Sequence, residues 1–327
     1  MFLTRDEIRA IIHVSRSRMP RTALAAALSA LLATVTLTQC GEAKAASPAE
    51  GPARIVAAGG AITEIIYAVG AQDRVVGVDS TSQYPADALR TKANIGYLRA
   101  LSAEGVLSLR PDLLLASEGA GPPDTLKLLA EAKVPTIRVN EAFTAEGVVA
   151  RIRTVADLVG EGGKGRLLSD AVRGEFDTLA VRRGTLTQRK RVLFVLALQN
   201  GRPMVAGRDT AAAAIIELAG GINAGETMEG YKPMTDEAVI AAAPDVVLMM
   251  DRGAPTPSAS SLFGLPAFAA TPAASSQGLV VMDGLFLLGF GPRTPAAAGE
   301  LMRALYPATR SGHAAIGRGS DRTMSRP

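Results

Sequence analysis

Two stretches decide how this chain folds: LSAEGVLSLRPDLLLAS at residues 101–117 and MTDEAVIAAAPDVVLMM at residues 234–250. In each, a hydroxyl residue (Ser102, Thr235) stands two positions before a glutamate (Glu104, Glu237), and Pro-Asp follows seven positions after it (Pro111-Asp112, Pro244-Asp245). The hydroxyl reads as a helix N-cap and the glutamate as a first-turn acid favoured by the helix dipole. The proline reads as a stop, and the apolar run beyond it as a buried parallel strand. The two glutamates are 133 positions apart. That is too long for a solenoid period and about one domain length. Two similar α/β lobes are expected.

The flanking sequence supports βαβ alternation in each lobe. RIVAA (54–58), RVVGV (74–78), residues 113–116 and PTIRV (135–139) read as strands. The helix between the first two carries Ile62, Ile65, Ile66 and Val69 on one face and stops at Gly70. In the second lobe RVLFVLA (191–197) and residues 279–282 read as strands, and TAAAAIIELA (210–219) and 295–305 as helices. Between the lobes, residues 145–183 are helical in pattern, broken at GEGGKG (160–165). The run Arg166 to Arg183 is then expected as one stiff helix about 27 Å long at 1.5 Å per residue. The fold class is thus α/β, with two Rossmann-like lobes of mostly parallel sheet joined by a single long α-helix. The expected boundaries are 46–144 for the N-terminal lobe, 145–185 for the connector and 186–307 for the C-terminal lobe. The Gly/Ser-rich basic tail at 308–327 is expected to be disordered.

Residues 1–45 read as a signal peptide. Arg16, Arg18 and Arg21 flank an uncharged run from Thr22 to Leu37, and Ala43-Lys44-Ala45 fits a cleavage site before Ala46. Met19 is an alternative start. A competing reading is a lipoprotein anchored through Cys40, although Gln39 is larger than lipid-type cleavage favours. Without residues 1–45 the chain has 29 basic and 28 acidic residues, so its basic character gives no argument for nucleic acid. The mature chain then has no cysteine, and therefore no disulfide, thiolate metal site or cysteine nucleophile. Both histidines, His13 and His313, lie outside the lobes. No Walker sequence or Gly-x-Ser-x-Gly elbow occurs, and Gly59-Gly60 lacks the third glycine of a dinucleotide fingerprint.

The stretches GGAITEIIYAVGAQDRVVGVD (59–79), TSQYPADA (81–88), IGYLRALSAEGVLSLRPD (95–112) and LGFGPR (288–293) carry a family resemblance. The chain resembles the helical-backbone class of periplasmic substrate-binding proteins, which serve ABC importers of cobalamin, iron-siderophores and heme. Within that class it is most similar to hemin-binding proteins. The resemblance implies an exported, monomeric, non-enzymatic protein that binds ferric heme between its lobes and hands it to an ABC permease dimer. A ferric-siderophore or cobalamin carrier is the alternative within the class, and an enzyme or chelatase on this scaffold the alternative outside it.

Tyr97 is the candidate iron ligand, because a phenolate is a hard donor suited to ferric iron and tyrosine is an established haem ligand. Taken alone it reads as an exposed loop tyrosine; the context Gly-Tyr-x-Arg-x-Leu-Ser-x-Glu points to heme. Arg99 would favour the phenolate by its charge. Arg252, placed after a strand end, and Arg293 are expected at the cleft; each alone reads as a solvated arginine. Tyr231 is a candidate ligand contact in the second lobe. Tyr67 reads as core, Tyr84 as a loop residue bordering the cleft, and Tyr306 as packing. Glu104 and Glu237, by resemblance, dock to arginines on the two permease subunits.

Overall fold

Each Pro-Asp block fastens the first strand of its own lobe. In the computed structural model, Asp112 Oδ2 accepts from the amides of Ala53 and Arg54 at 3.1 and 2.9 Å. Asp245 Oδ2 accepts from the amide of Arg191 at 2.8 Å. The arginine then reaches back to the end of the preceding helix: Arg54 Nε donates to the Leu109 carbonyl at 3.1 Å, and Arg191 Nε to the Ala242 carbonyl at 2.8 Å. A cation on the orphan carbonyls of a helix C-terminus is favourable on both dipole and hydrogen-bond grounds. The repeat is thus a helix, a stop, a strand and a hydrogen-bonded clip to the adjacent parallel strand, built twice.

The structure describes residues 51–199, 201–251, 253 and 256–307. The expected signal peptide, the tail at 308–327 and Arg252 lie outside the described residues. The first lobe runs β1 (Ile55–Ala58), α1 (Gly60–Ala68), β2 (Val75–Val78), α2 (Asp87–Thr91), β3 (Ala93–Asn94), then a small hairpin of β4 (Gly96–Tyr97) and β5 (Ala100–Leu101). It continues with α3 (Ala103–Ser108), β6 (Leu113–Ser117), α4 (Pro123–Glu131) and β7 (Thr136–Val139). Its sheet has the order β3-β2-β1-β6-β7 and is parallel throughout. Strand order reverses direction at β1 and β6, the switch point at whose carboxyl ends open α/β sheets take ligands.

The connector is a pair of helices, α5 (Ala145–Leu158) and α6 (Gly162–Gly184). The long helix therefore starts four residues before the expected Arg166 and spans about 34 Å at 1.5 Å per residue. The glycines do not break it, because they serve packing. A Cβ on Gly165 would collide with the Ala156 side chain of α5. The first turn of α6 is also held by Glu161, which pairs with Lys164 at 2.9 Å and Arg74 at 3.2 Å. The chain reverses at Gly160, whose φ is +71°.

The second lobe holds β8 (Arg191–Gln199), β9 (Arg202–Ala206), α7 (Ala211–Leu218), β10 (Ile222–Asn223), β11 (Tyr231–Pro233), α8 (Asp236–Ala242) and β12 (Val246–Asp251). After these come the short helices α9 (Ala259–Phe263), α10 (Pro266–Ala269) and α11 (Pro272–Ser276), then β13 (Leu279–Asp283), α12 (Gly284–Leu288) and α13 (Thr294–Leu305). Here the plan of the first lobe is only partly repeated. The order is β11-β9-β8-β12-β13, with β10 also on β8. The β8–β12, β12–β13 and β8–β10 pairs are parallel, whereas β8–β9 and β9–β11 are antiparallel. A connection of two residues cannot cross over to a parallel partner, so β9 must fold back on β8. Gly201, at φ +81°, supplies the left-handed conformation of that turn.

One apolar cluster runs through both lobes. It joins Ile62, Ile65 and Ile66 of α1 to Ile152 and Val155 of α5 and Phe176 of α6. From there it continues to Phe194 of β8, Ile215 of α7 and Leu301 of α13. Separate clusters cover the outer sheet faces, around Leu114 in the first lobe and Val247 in the second. Because the central core is shared, both lobes should unfold in a single transition. Calorimetry should give one peak, with equal calorimetric and van't Hoff enthalpies. Leu301, fully buried in that core, should cost about 3 kcal/mol when changed to Ala without splitting the transition.

Candidate functional site

Tyr97 stands on the two-residue hairpin β4–β5, opposite Ala100. Gly96 makes the hairpin possible. Its φ is +98°, and a Cβ there would lie 2.9 Å from the Ala100 carbonyl oxygen. The hairpin is tied down on two sides. Ser80 N donates to the Gly96 carbonyl at 2.8 Å, while Leu98 accepts from the Gly121 amide at 3.0 Å and Leu101 donates to the Gly121 carbonyl at 2.8 Å. The phenol ring itself is 51% exposed. The fold thus fixes the backbone and presents the side chain.

Arg99 lies at the turn of the same hairpin, and its charge is felt at Tyr231, the first residue of β11 in the other lobe. Burial raises the Tyr231 hydroxyl above its ordinary value. Hydrogen bonds from the Ala212 backbone and the Thr210 side chain, together with the positive charge of Arg99, pull it partly back. Thr210 is the N-cap of α7, so the Tyr231 hydroxyl sits at a helix N-terminus. Its ring lies edge-on to Phe194, with centroids 6.3 Å apart. Arg99 of the first lobe thus acts electrostatically on Tyr231 of the second, with Tyr97 two residues away from Arg99 on the same hairpin.

Arg293 is already engaged. Its Nη2 donates to Glu64 Oε2 at 3.0 Å and its amide to Glu64 Oε1 at 3.1 Å. Glu64, on α1 of the first lobe, is 5% exposed. The guanidinium carbon lies 3.6 Å from the centre of the Tyr84 ring, a stacked cation–π contact. Nearby, the buried Arg151 of α5 donates from Nε to the Asn140 carbonyl at 3.0 Å and from Nη1 to the Phe290 carbonyl at 3.1 Å. Burial draws the Arg151 guanidinium below its usual value, opposed by Glu141 and Glu118. Phe290, in the left-handed region at φ +49°, packs edge-on to Phe143 with centroids 5.1 Å apart. The segment LGFGPR is thus a clasp between the lobes.

Glu64 and Arg151 were not singled out from the sequence. The available signal was a lone carboxylate at 64 on an otherwise apolar helix face. Tyr67 packs partly buried against the central core. The Tyr306 hydroxyl donates to the Gly220 carbonyl at 2.8 Å and accepts from the Lys190 amide at 2.9 Å, so it packs. Among the described residues no group of three or more His, Cys, Asp or Glu could hold a metal ion, and no helix is long and apolar enough to cross a membrane.

A family model for periplasmic binding proteins matches residues 55–284. The chain belongs to that family. Among solved structures, this binding protein is similar to the periplasmic heme-binding protein BhuT in complex with two hemes. The two are 42% identical, the match covers 77% of this chain and 97% of BhuT, and the TM-score is 0.73. It is also similar to the periplasmic heme-binding protein RhuT from Roseiflexus sp. RS-1 in apo form, at 40% identity, 78% and 98% coverage and a TM-score of 0.74. The ABC transporter substrate-binding lipoprotein YvrC of Bacillus subtilis (strain 168) is 26% identical over 261 residues, 79% of this chain and 81% of YvrC.

The two recurrent glutamates of the binding protein are exposed at matching helix starts. Ser102 Oγ accepts from the Gly105 amide at 2.9 Å beside Glu104, and Thr235 Oγ1 from the Ala238 amide at 3.3 Å beside Glu237. Its own backbone amide and then the Thr235 hydroxyl hold the Glu237 carboxyl below its ordinary 4.5, with Arg202 adding to the effect. A lowered folded value means that the associated stability is present above about pH 4.5 and is lost as pH falls through that lower value. Glu237 is therefore an anion at neutral pH. In an NMR titration it should ionise below pH 4.5, and Thr235→Ala should move its midpoint up. An unmoved midpoint would remove Thr235 from this account.

Proposed function

We propose that this binding protein carries ferric heme between its lobes and delivers it to an ABC importer, with the Tyr97 phenolate on iron. The observation that carries the reading is the exposed phenol on a hairpin pinned by backbone hydrogen bonds from Ser80 and Gly121. Similarity to heme-binding proteins at up to 42% identity supports the same reading. A phenolate suits a ferric cargo, and a tied backbone limits the entropy lost when the ligand is bound. In this reading Arg99 and Arg252 are the cations that meet the anionic oxygens of the cargo and of its iron ligand. Tyr231 offers an aromatic face and a hydroxyl from the second lobe. Arg293 contributes by holding Tyr84 and the interlobe clasp in place. A cobalamin or ferric-siderophore cargo on the same fold is the alternative, and the role is binding rather than catalysis. Export by residues 1–45 places the mature protein in the periplasm.

Absorption titration with ferric hemin tests the cargo. The wild-type protein should show a Soret band and a phenolate-to-iron charge-transfer band. Tyr97→Phe keeps the ring but loses the anionic oxygen, and should lose the charge-transfer band with about a hundredfold weaker binding, since an anionic ligand is removed from the metal. Unchanged spectra and affinity in Tyr97→Phe would redirect the assignment to Tyr231 or Tyr84.

Docking rests on the paired helix starts. An isologous pair of acids suits a two-fold permease. The double change Glu104→Ala, Glu237→Ala should leave hemin affinity intact and reduce uptake through the cognate importer. Normal uptake by the double variant would leave the two acids as helix-dipole partners only.

A further inference from the structure

The carboxylate of Asp79 is completely buried at the end of β2 and is held by four donors, all of them neutral. Oδ1 accepts from the Gly59 amide at 2.8 Å and the Ser82 hydroxyl at 3.0 Å. Oδ2 accepts from the Thr81 amide at 2.9 Å and the Thr81 hydroxyl at 2.6 Å. Ser82 is in turn bonded to Thr63 of α1 at 2.7 Å. A buried anion with its lone pairs occupied fixes the groups around it, because any departure strands a charge. What it fixes here is the turn 79–82. From that turn the Ser80 amide donates to the Gly96 carbonyl at 2.8 Å, next to Tyr97.

We infer that Asp79 is a positioning residue for Tyr97, acting through the Ser80–Gly96 hydrogen bond. The inference rests on Tyr97 as the iron ligand and deepens that reading. The carboxylate sets the turn, the turn aims the Ser80 amide, and the amide sets the base of the hairpin that carries the phenol. Asn in place of Asp79 puts an amide N–H₂ where an oxygen accepts two donors. One side of the cage then meets donor with donor, and the turn must shift.

The test compares Asp79→Asn, Thr81→Val and Tyr97→Phe. Thr81→Val is nearly isosteric and removes one donor to Oδ2, so it carries the test if Asp79→Asn fails to fold. Asp79→Asn should bind hemin about tenfold more weakly and shift or weaken the charge-transfer band. In the hemin-free protein the Ser80 amide should exchange with solvent about tenfold faster, as expected when a local tie is loosened. Thr81→Val should move each readout the same way by less. Wild-type affinity and band in both variants, while Tyr97→Phe abolishes the band, would overturn the inference and leave the ligand reading standing. A Tyr97→Phe protein that keeps the band would overturn both.

Discussion

The arrangement of the two lobes depends on a buried carboxylate and the partly exposed guanidinium that meets it. Glu64 shares its helix face with Gly60, Ala61, Tyr67 and Ala68, and Arg293 meets it with both its side chain and its main-chain amide. A buried ion pair is not in itself a strong source of stability, because desolvation offsets most of the attraction. Its effect is geometric. Moving the lobes apart would break the ion pair and both hydrogen bonds to Glu64 together. The pair therefore specifies one interlobe register, and the surrounding elements conform to it. Gly291 comes close to the Glu64 carboxylate, Phe290 takes a left-handed backbone, and Arg151 closes the same segment from the connector.

Much of the architecture was legible in the two Pro-Asp blocks, because N-caps, proline stops and buried strands leave local signatures. The parallel first sheet follows from those signals, and the long helix from the apolar spacing of residues 166–183. The start of that helix did not. Gly162, Gly163 and Gly165 look like a break, yet Gly165 is there so that a neighbouring helix can approach closely, and only the partner reveals that. The antiparallel half of the second sheet was also missed. Its signal, Asn200-Gly201 between two apolar runs, is a hairpin motif that the expectation of a second Rossmann-like lobe obscured.

The site divides in the same way. Tyr97, Gly96 and the paired glutamates are adjacent in sequence to the features that explain them, so pattern and resemblance reach them. Arg293 was noticed for its motif, but its partner lies 229 residues away. A contact of that separation has no local trace. Asp79 and Arg151 are similar: each is an ordinary charged residue in sequence, and burial alone gives it meaning. The aspartates at 112 and 245 were read as punctuation, whereas they are the clips that hold β1 and β8 in register with their neighbours.

The close contact of α5 with α6 at Gly165 bears on how a cargo would be exchanged. Two helices touching along their backbones, embedded in a core common to both lobes, resist twisting and bending far more than a pair of extended strands. Such a frame has little slack to lose when a ligand binds, which lowers the entropic cost of binding. A frame of this kind is most readily distorted by a partner that contacts both lobes at once.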